Sequence, residues 1–161
     1  FNQPRQLGDL TMVNYLAPID LEDEHLSAGV IEKVVQMATG VEGAQIYLMT
    51  VIPGITPGID QRYAIRGEMH GSTEYPLQEW KDDAAKHLQE IADKNVPKKM
   101  QAGVVVENGT VYREVVEAAK DLKIDHIVMG AHRPSLADYL LGPNSARVAR
   151  HAGCSVTVVR E

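Results

Sequence analysis

The chain has 161 residues, of which 44% are hydrophobic, and this length suits one well-packed domain but not two ordinary ones. Its formal net charge of −6 argues against a basic face, so we expect neither nucleic acid nor a membrane surface as a partner. No bilayer-spanning apolar run or signal-peptide pattern occurs, and the single cysteine, Cys154, indicates a reducing compartment. We therefore expect a cytoplasmic protein.

The first part of the chain predicts an extension, a strand and a helix. Residues 1–11 lack apolar periodicity and are interpreted as an N-terminal extension or expression remnant, so the domain is expected to span residues 12–161. Residues 13–19 predict a buried strand that ends at Asp20. Acidic residues at 22–24 then open a helix whose apolar residues recur at helical spacing.

The middle of the chain predicts a second strand, a long loop and an amphipathic helix. Residues 44–51 form an apolar run, and the prolines and glycines that follow predict a loop over residues 52–75. A loop of this length in a compact domain often covers a ligand. Apolar residues from Leu77 to Ala92 recur with helical periodicity, and Trp80 is expected to anchor that helix face.

The rest of the chain predicts three more strands. Residues 100–106 predict a strand, residues 108–109 a turn, and Thr110 the cap of a helix. Residues 127–130 and 155–159 are apolar and predict strands four and five. Because strands alternate with helices, we expect an open parallel α/β sheet with right-handed crossovers and helices on both faces.

The carboxyl ends of the predicted strands mark the expected ligand crevice, which in such sheets lies where the strand order reverses. This rule selects Asp20, Val51 and Gly130. Between Gly130 and Gly142 the chain is rich in small and polar residues, and a helix then begins. Glycine permits close backbone approach and a helix start presents unpaired N–H groups, so the expected occupant is a phosphate.

The segment that begins at Gly130 resembles the C-terminal signature of the universal stress protein family, in its ATP-binding branch. In that signature Gly-x-x-Gly, a nine-residue gap and Gly-Ser surround the phosphates of ATP. Here Arg133 stands at the second glycine, the gap to Gly142 is eight residues, and Pro143 replaces the serine or threonine. The ends of the first two strands also resemble this family, and the likeness spans residues 12–160.

The resemblance implies a fold and a set of nucleotide-binding residues. The implied fold is a Rossmann-like, five-stranded parallel sheet of order 3-2-1-4-5, of the adenine nucleotide alpha hydrolase type. Strand ends would contact adenine and ribose, whereas the loop after strand four and the last helix would contact the phosphates. The implied nucleotide-binding residues are Pro18, Ile19, Asp20, Val51, Met129, Gly130, His132, Arg133, Gly142, Pro143, Asn144 and Ser145.

Several of these residues also have a purely structural interpretation. Asp20 could accept hydrogen bonds from ribose hydroxyls or could cap a helix. Gly130 and Gly142 could hold a phosphate or could be turn glycines with positive φ. Arg133 could bind phosphate oxygens or could be a surface arginine, and His132 could be a solvated loop residue.

Three functional hypotheses follow. We expect a nucleotide-responsive stress or regulatory protein that binds ATP, ADP or AMP, with or without Mg²⁺. The alternatives are a slow ATPase and a nucleotide-free member that acts through protein contacts, which the departures at Arg133 and Pro143 keep open. The sequence lacks familiar catalytic and phosphate-loop motifs and metal-ligand spacings, so no catalytic or metal-binding residue is assigned.

The last strand predicts a homodimer. The resemblance implies that the last strands of two copies pair antiparallel, with Val156 and Val158 in the contact. Residues 156–159 are strand-prone and would otherwise leave an apolar sheet edge exposed.

Overall fold

The computed structural model describes residues 12–53, 77–131 and 143–160. The strands in these ranges are β1 (Val13–Pro18), β2 (Ala44–Pro53), β3 (Gln101–Gly109), β4 (His126–Gly130) and β5 (Ser155–Val159). The helices are α1 (Glu24–Ala38), α2 (Leu77–Asn95), α3 (Val111–Asp121) and α4 (Pro143–His151), with a short 3-10 helix at Lys98–Met100. Within the described ranges, no helix has both the length and the apolarity needed to cross a bilayer.

The five strands form one parallel sheet of order β3-β2-β1-β4-β5, which confirms the predicted fold. Central β1 pairs with β2 on one side, where Val13 lies opposite Ala44, and with β4 on the other, where Tyr15 lies opposite His126. The strand order therefore reverses between β1 and β4. In doubly wound sheets this switch point opens a crevice beyond the carboxyl ends of the strands.

Two apolar clusters, one on each face of the sheet, hold the helices in place. On one face Val34 of α1 and Leu88 of α2 are completely buried. On the other face Val115 of α3 and Val148 of α4 are completely buried together with Met49 of β2. Each such side chain contributes about 1.5–3 kcal/mol when it is buried, so both layers stabilise the sheet that carries the crevice.

Some predicted element ends are wrong, because strand pairing continues past the apolar runs. The last two residues of β2, Ile52 and Pro53, lie opposite Asn108 and Gly109 of β3. Asn108 Nδ2 also donates a hydrogen bond to the Ile52 carbonyl at 3.0 Å. The predicted turn at residues 108–109 is therefore strand, and so are the first two residues of the predicted loop.

Other predictions fall partly or wholly outside what the structure describes. Residues 1–11, interpreted as an extension, lie outside the described ranges, as does the predicted loop beyond Pro53. Thr110 does occupy the cap position of α3, but its side chain makes no capping hydrogen bond. The predicted start of the third strand at Met100 is also wrong, since this residue ends the 3-10 helix.

Candidate functional site

A cleft of about 440 Å³ opens at the carboxyl ends of β1, β2 and β4, at the strand-order switch point. The predicted site residues that line it are Pro18, Ile19, Asp20, Val51, Met129, Gly130, Asn144 and Ser145. Pro143 is the first residue of α4 and is not among the lining residues. His132, Arg133 and Gly142 lie outside the described residues.

Asp20 follows β1 and is exposed at the cleft. Its Oδ1 accepts a hydrogen bond from the Glu22 backbone N–H at 2.9 Å, which fixes the side chain in a local turn. The cap of α1 is Asp23, whose Oδ1 accepts from the Leu26 N–H at 3.1 Å. The interpretation of Asp20 as a helix cap is therefore wrong. A carboxylate has room for several donors, so Asp20 keeps the capacity to accept from a ligand.

Two buried hydroxyl groups fix the backbone where β1 ends. Ser27 Oγ donates to the Asp20 carbonyl at 2.6 Å, and Thr50 Oγ1 donates to the Ile19 carbonyl at 3.1 Å. Both side chains line the cleft. The sequence interpretation did not include either residue in the site. Thr50 could have been included because it directly precedes Val51, a predicted site residue. These bonds hold the segment that carries Asp20 in one conformation.

Gly130 ends β4 at a very close approach to α1. A Cβ atom at this position would lie 2.6 Å from Cγ of Leu26 and 2.8 Å from each Cδ. The φ angle of Gly130 is not positive, so its interpretation as a turn glycine is wrong. Glycine is needed here because any side chain would collide with Leu26, which itself lines the cleft.

The two walls of the cleft differ in charge. Asp20, Glu22 and Asp23 line the wall beside α1, whereas the first turn of α4 carries no acidic residue. First-turn amides and the helix dipole favour an anion at such a helix start by about 0.3–1 kcal/mol in exposed settings. Pro143 has no N–H, so the described amides of this turn begin at Asn144. None of the described lining residues is basic.

The middle and the end of α4 contact the Tyr112 ring of α3. The Arg147 guanidinium lies 5.1 Å from the centre of the Tyr112 ring, and the His151 ring lies 6.1 Å from the same ring. Arg147 is thereby engaged with α3. Over the ranges that the structure covers, no group of three His, Cys, Asp or Glu side chains is placed to hold a metal ion.

Comparison with known proteins settles the family. Residues 14–160 match the Universal stress protein family. The chain belongs to this family. Universal stress protein G of Shigella flexneri is 30% identical over 148 residues, which cover 90% of this chain and 96% of that protein.

Solved structures of universal stress proteins share the fold. The universal stress protein UspA from Lactobacillus plantarum superposes with a TM-score of 0.63 at 20% identity, covering 92% of this chain and 97% of that one. A universal stress protein solved in complex with cAMP superposes with a TM-score of 0.55 at 20% identity, covering 93% and 98%. At these identities the likeness shows the universal stress protein fold.

Proposed function

We propose that this universal stress protein binds an adenine nucleotide in the cleft and acts as a nucleotide-responsive stress or regulatory protein. The ligand would be ATP, ADP or AMP. One observation carries the proposal. The exposed carboxylate of Asp20, a hydrogen-bond acceptor, lines the same cleft as Asn144 and Ser145 in the first turn of α4, and this turn contains no acidic residue. A nucleotide has the matching polarity, with ribose hydroxyls in its middle and anionic phosphates at one end.

The size and chemistry of the cleft suit this ligand. Its volume of about 440 Å³ falls within the roughly 300–1,000 Å³ of typical small-molecule sites. The ribose hydroxyls would donate to Asp20, and the phosphates would lie at the first turn of α4, which carries no acidic residue. His132, Arg133, Gly142 and Pro143 belong to the proposed phosphate side through the family signature. The cAMP complex of a universal stress protein supports an adenine ligand for this fold.

Mg²⁺ fits the proposed site as a companion of the nucleotide. Mg²⁺ prefers hard oxygen ligands and is commonly bound by one or two carboxylates together with substrate phosphates. The carboxylates of Asp20 and Glu22 at the cleft are donors of this kind. When bound, the ion would neutralise phosphate charge that the negatively charged chain otherwise repels.

We propose binding, and not catalysis, as the activity. On the α4 side the described lining side chains are Asn144 and Ser145, an amide and a hydroxyl that do not act as a base at neutral pH on their own. The signal would then pass through a protein surface, and the edge strand β5 offers one for a homodimer. Val156 and Val158 of this strand are half-buried within one copy. The single cysteine fits the cytoplasm predicted above.

Thermal unfolding in the presence of nucleotides tests the proposal. ATP, ADP, AMP and cAMP, each with and without Mg²⁺, should raise the melting temperature in a saturable way, by an amount corresponding to about 2.7 kcal/mol at a hundredfold excess over Kd. CTP serves as a control for the base. If none of the adenine nucleotides raises the melting temperature, the proposal is wrong.

A further inference from the structure

Trp80 is the only tryptophan in the chain, and 44% of its surface is exposed on α2. The sequence predicted that it would anchor a buried helix face, and this prediction is wrong. The fully buried anchor of α2 is Leu88 instead. Tryptophan combines a large flat apolar surface with one polar edge, and such side chains are enriched where proteins contact other molecules.

Trp80 is not among the residues that line the cleft, but it lies on α2 close to one that is. Ala84 lines the cleft, and Trp80 lies one helical turn before it. Residues four apart share a helix face, with Cβ atoms about 5–6 Å apart. Side chains of a helix incline toward its N-terminus. A helix that joins two parallel strands runs back along the sheet, so the N-terminus of α2 lies at the edge where the cleft opens.

An ion pair ties this turn of α2 to the sheet. Lys81 Nζ lies 3.7 Å from Glu107 Oε2, and Glu107 of β3 is the register partner of Val51 in the cleft wall. Such a half-exposed pair adds little stability, but it shows that the turn that carries Trp80 lies against β3, the neighbour of β2.

The lining of the cleft nearest to α2 differs from the acidic wall. It includes the aliphatic side chains of Ile19 and Val30, which belong to the same apolar cluster as Leu88 of α2. A flat heteroaromatic ring is the part of a nucleotide that suits such a surface, because stacking on an indole does not require a particular hydrogen-bond pattern.

We propose that Trp80 is a further ligand-binding residue of the cleft and that its indole stacks on the purine base of the bound nucleotide. The role of Trp80 rests on the function proposed above and adds to it a base-binding element supplied by α2. The acidic wall and the start of α4 then contact ribose and phosphate, whereas α2 contacts the base.

The fluorescence of the single tryptophan reports directly on this contact. ATP titrated into the full chain should quench or shift the emission of Trp80 in a saturable way, whereas inorganic tripolyphosphate, which has no base, should leave it unchanged. Trp80→Ala should weaken the calorimetric Kd for ATP by about 5- to 100-fold, as expected for loss of one stacking contact. Trp80→Phe should keep most of the affinity. Lys86→Ala, an exposed change elsewhere on α2, should have no effect.

The same measurements separate this role from the proposed function. If ATP binds the wild-type chain and Trp80→Ala changes its Kd by less than twofold, Trp80 has no role in binding while the proposed function stands. If calorimetry detects no binding of any adenine nucleotide to the wild-type chain, the proposed function fails as well. If Trp80→Ala loses its helical circular dichroism, the Kd values for ATP of Trp80→Phe and Trp80→Leu are compared instead. Stacking predicts tighter binding by the Phe variant, and equal Kd values would contradict the role of Trp80.

Discussion

Gly130 and Leu26 lie so close together that a methyl group on Gly130 would be 2.6 Å from Cγ of Leu26. Gly130 ends the strand that enters the cleft, and Leu26 lines the cleft from α1. This contact therefore limits how large a side chain the end of β4 can carry beneath α1 at the cleft. The glycine is required by the facing helix, independently of any ligand.

Gly130→Ala should therefore affect both stability and ligand binding. The added methyl group overpacks the contact, which typically lowers the free energy of unfolding by about 1–3 kcal/mol. Leu26 can relieve the collision by moving toward the open cleft, so ATP affinity should fall as well. Urea unfolding and binding of a fluorescent ATP analogue measure the two effects. Leu26→Ala in the same chain should restore part of the ATP affinity. If Gly130→Ala changes neither the free energy of unfolding nor the ATP affinity, the contact with Leu26 is not tight.

Asp20 and Asp23 lie three residues apart and should behave differently when each is replaced. Asp23 caps α1 through the Leu26 N–H, so Asp23→Ala should lower the free energy of unfolding by about 0.5–2 kcal/mol. Asp20→Asn keeps an acceptor for the Glu22 N–H but removes the charge, so it should leave stability nearly unchanged and weaken nucleotide binding. Thermal shifts with and without ATP measure both quantities. Equal effects of the two variants on binding would contradict these separate roles.

Much of the fold could be predicted from the sequence because strand cores and helix faces follow hydrophobic periodicity. The last strand was predicted with its observed bounds, Ser155–Val159, because its apolar run ends at charged and small residues. The ends of β2 and β3 could not be predicted, since Asn108 and Gly109 are typical turn residues and only tertiary pairing makes them strand. The prediction for Trp80 was wrong because hydrophobic periodicity identifies the face of a helix that is directed toward the sheet. It does not indicate whether each residue of that face is covered by the sheet.

The residues of the site could be predicted only in part, because some of them depend on tertiary contacts. The carboxyl ends of parallel strands lie at one edge of a sheet, and the family resemblance implies the strand order, so Asp20, Val51 and Gly130 could be assigned to one crevice. The hydroxyls of Ser27 and Thr50 hydrogen-bond to carbonyls that lie 7 and 31 residues away in the chain, and no hydrophobic periodicity indicates such partners. Which of these residues contact a ligand stays a prediction.

His126 should make stability depend on pH. Its Nε2 lies 2.7 Å from Thr157 Oγ1, its ring stacks on Tyr15 at 6.0 Å, and burial lowers the pKa of His126 from its usual 6.5. Because the unfolded chain then binds the proton more readily, the contribution of His126 is complete above about pH 6.5 and is lost as pH falls through the folded pKa.

Urea unfolding between about pH 7.5 and pH 5.5 measures this dependence. The free energy of unfolding should fall as the solution becomes more acidic, and His126→Gln should reduce the slope. His87→Gln, an exposed histidine on α2, is the matched control and should keep the wild-type slope. A His126→Gln variant with the full wild-type slope would show that other groups cause it.

The proposed homodimer should depend on β5. In the described part of the sheet β5 is an edge strand that pairs only with β4, so two copies can pair through it. Light scattering of the wild-type chain at micromolar concentration should give the mass of two chains. Val158→Asp should give one chain with unchanged circular dichroism, because a charged side chain on an edge strand opposes its pairing with a second copy. Val41→Asp, at an exposed site away from β5, should remain dimeric. A monomeric wild-type chain would contradict the proposal.

The central claim is that the cleft at the β1–β4 switch point holds an adenine nucleotide. Isothermal titration of the wild-type chain with ATP in the presence of Mg²⁺ tests it most directly. We predict a saturable heat with one nucleotide per chain, a Kd in the micromolar range, and displacement of ATP by AMP. No saturable heat at millimolar ATP, from a chain that unfolds cooperatively and carries no co-purified nucleotide, would contradict it.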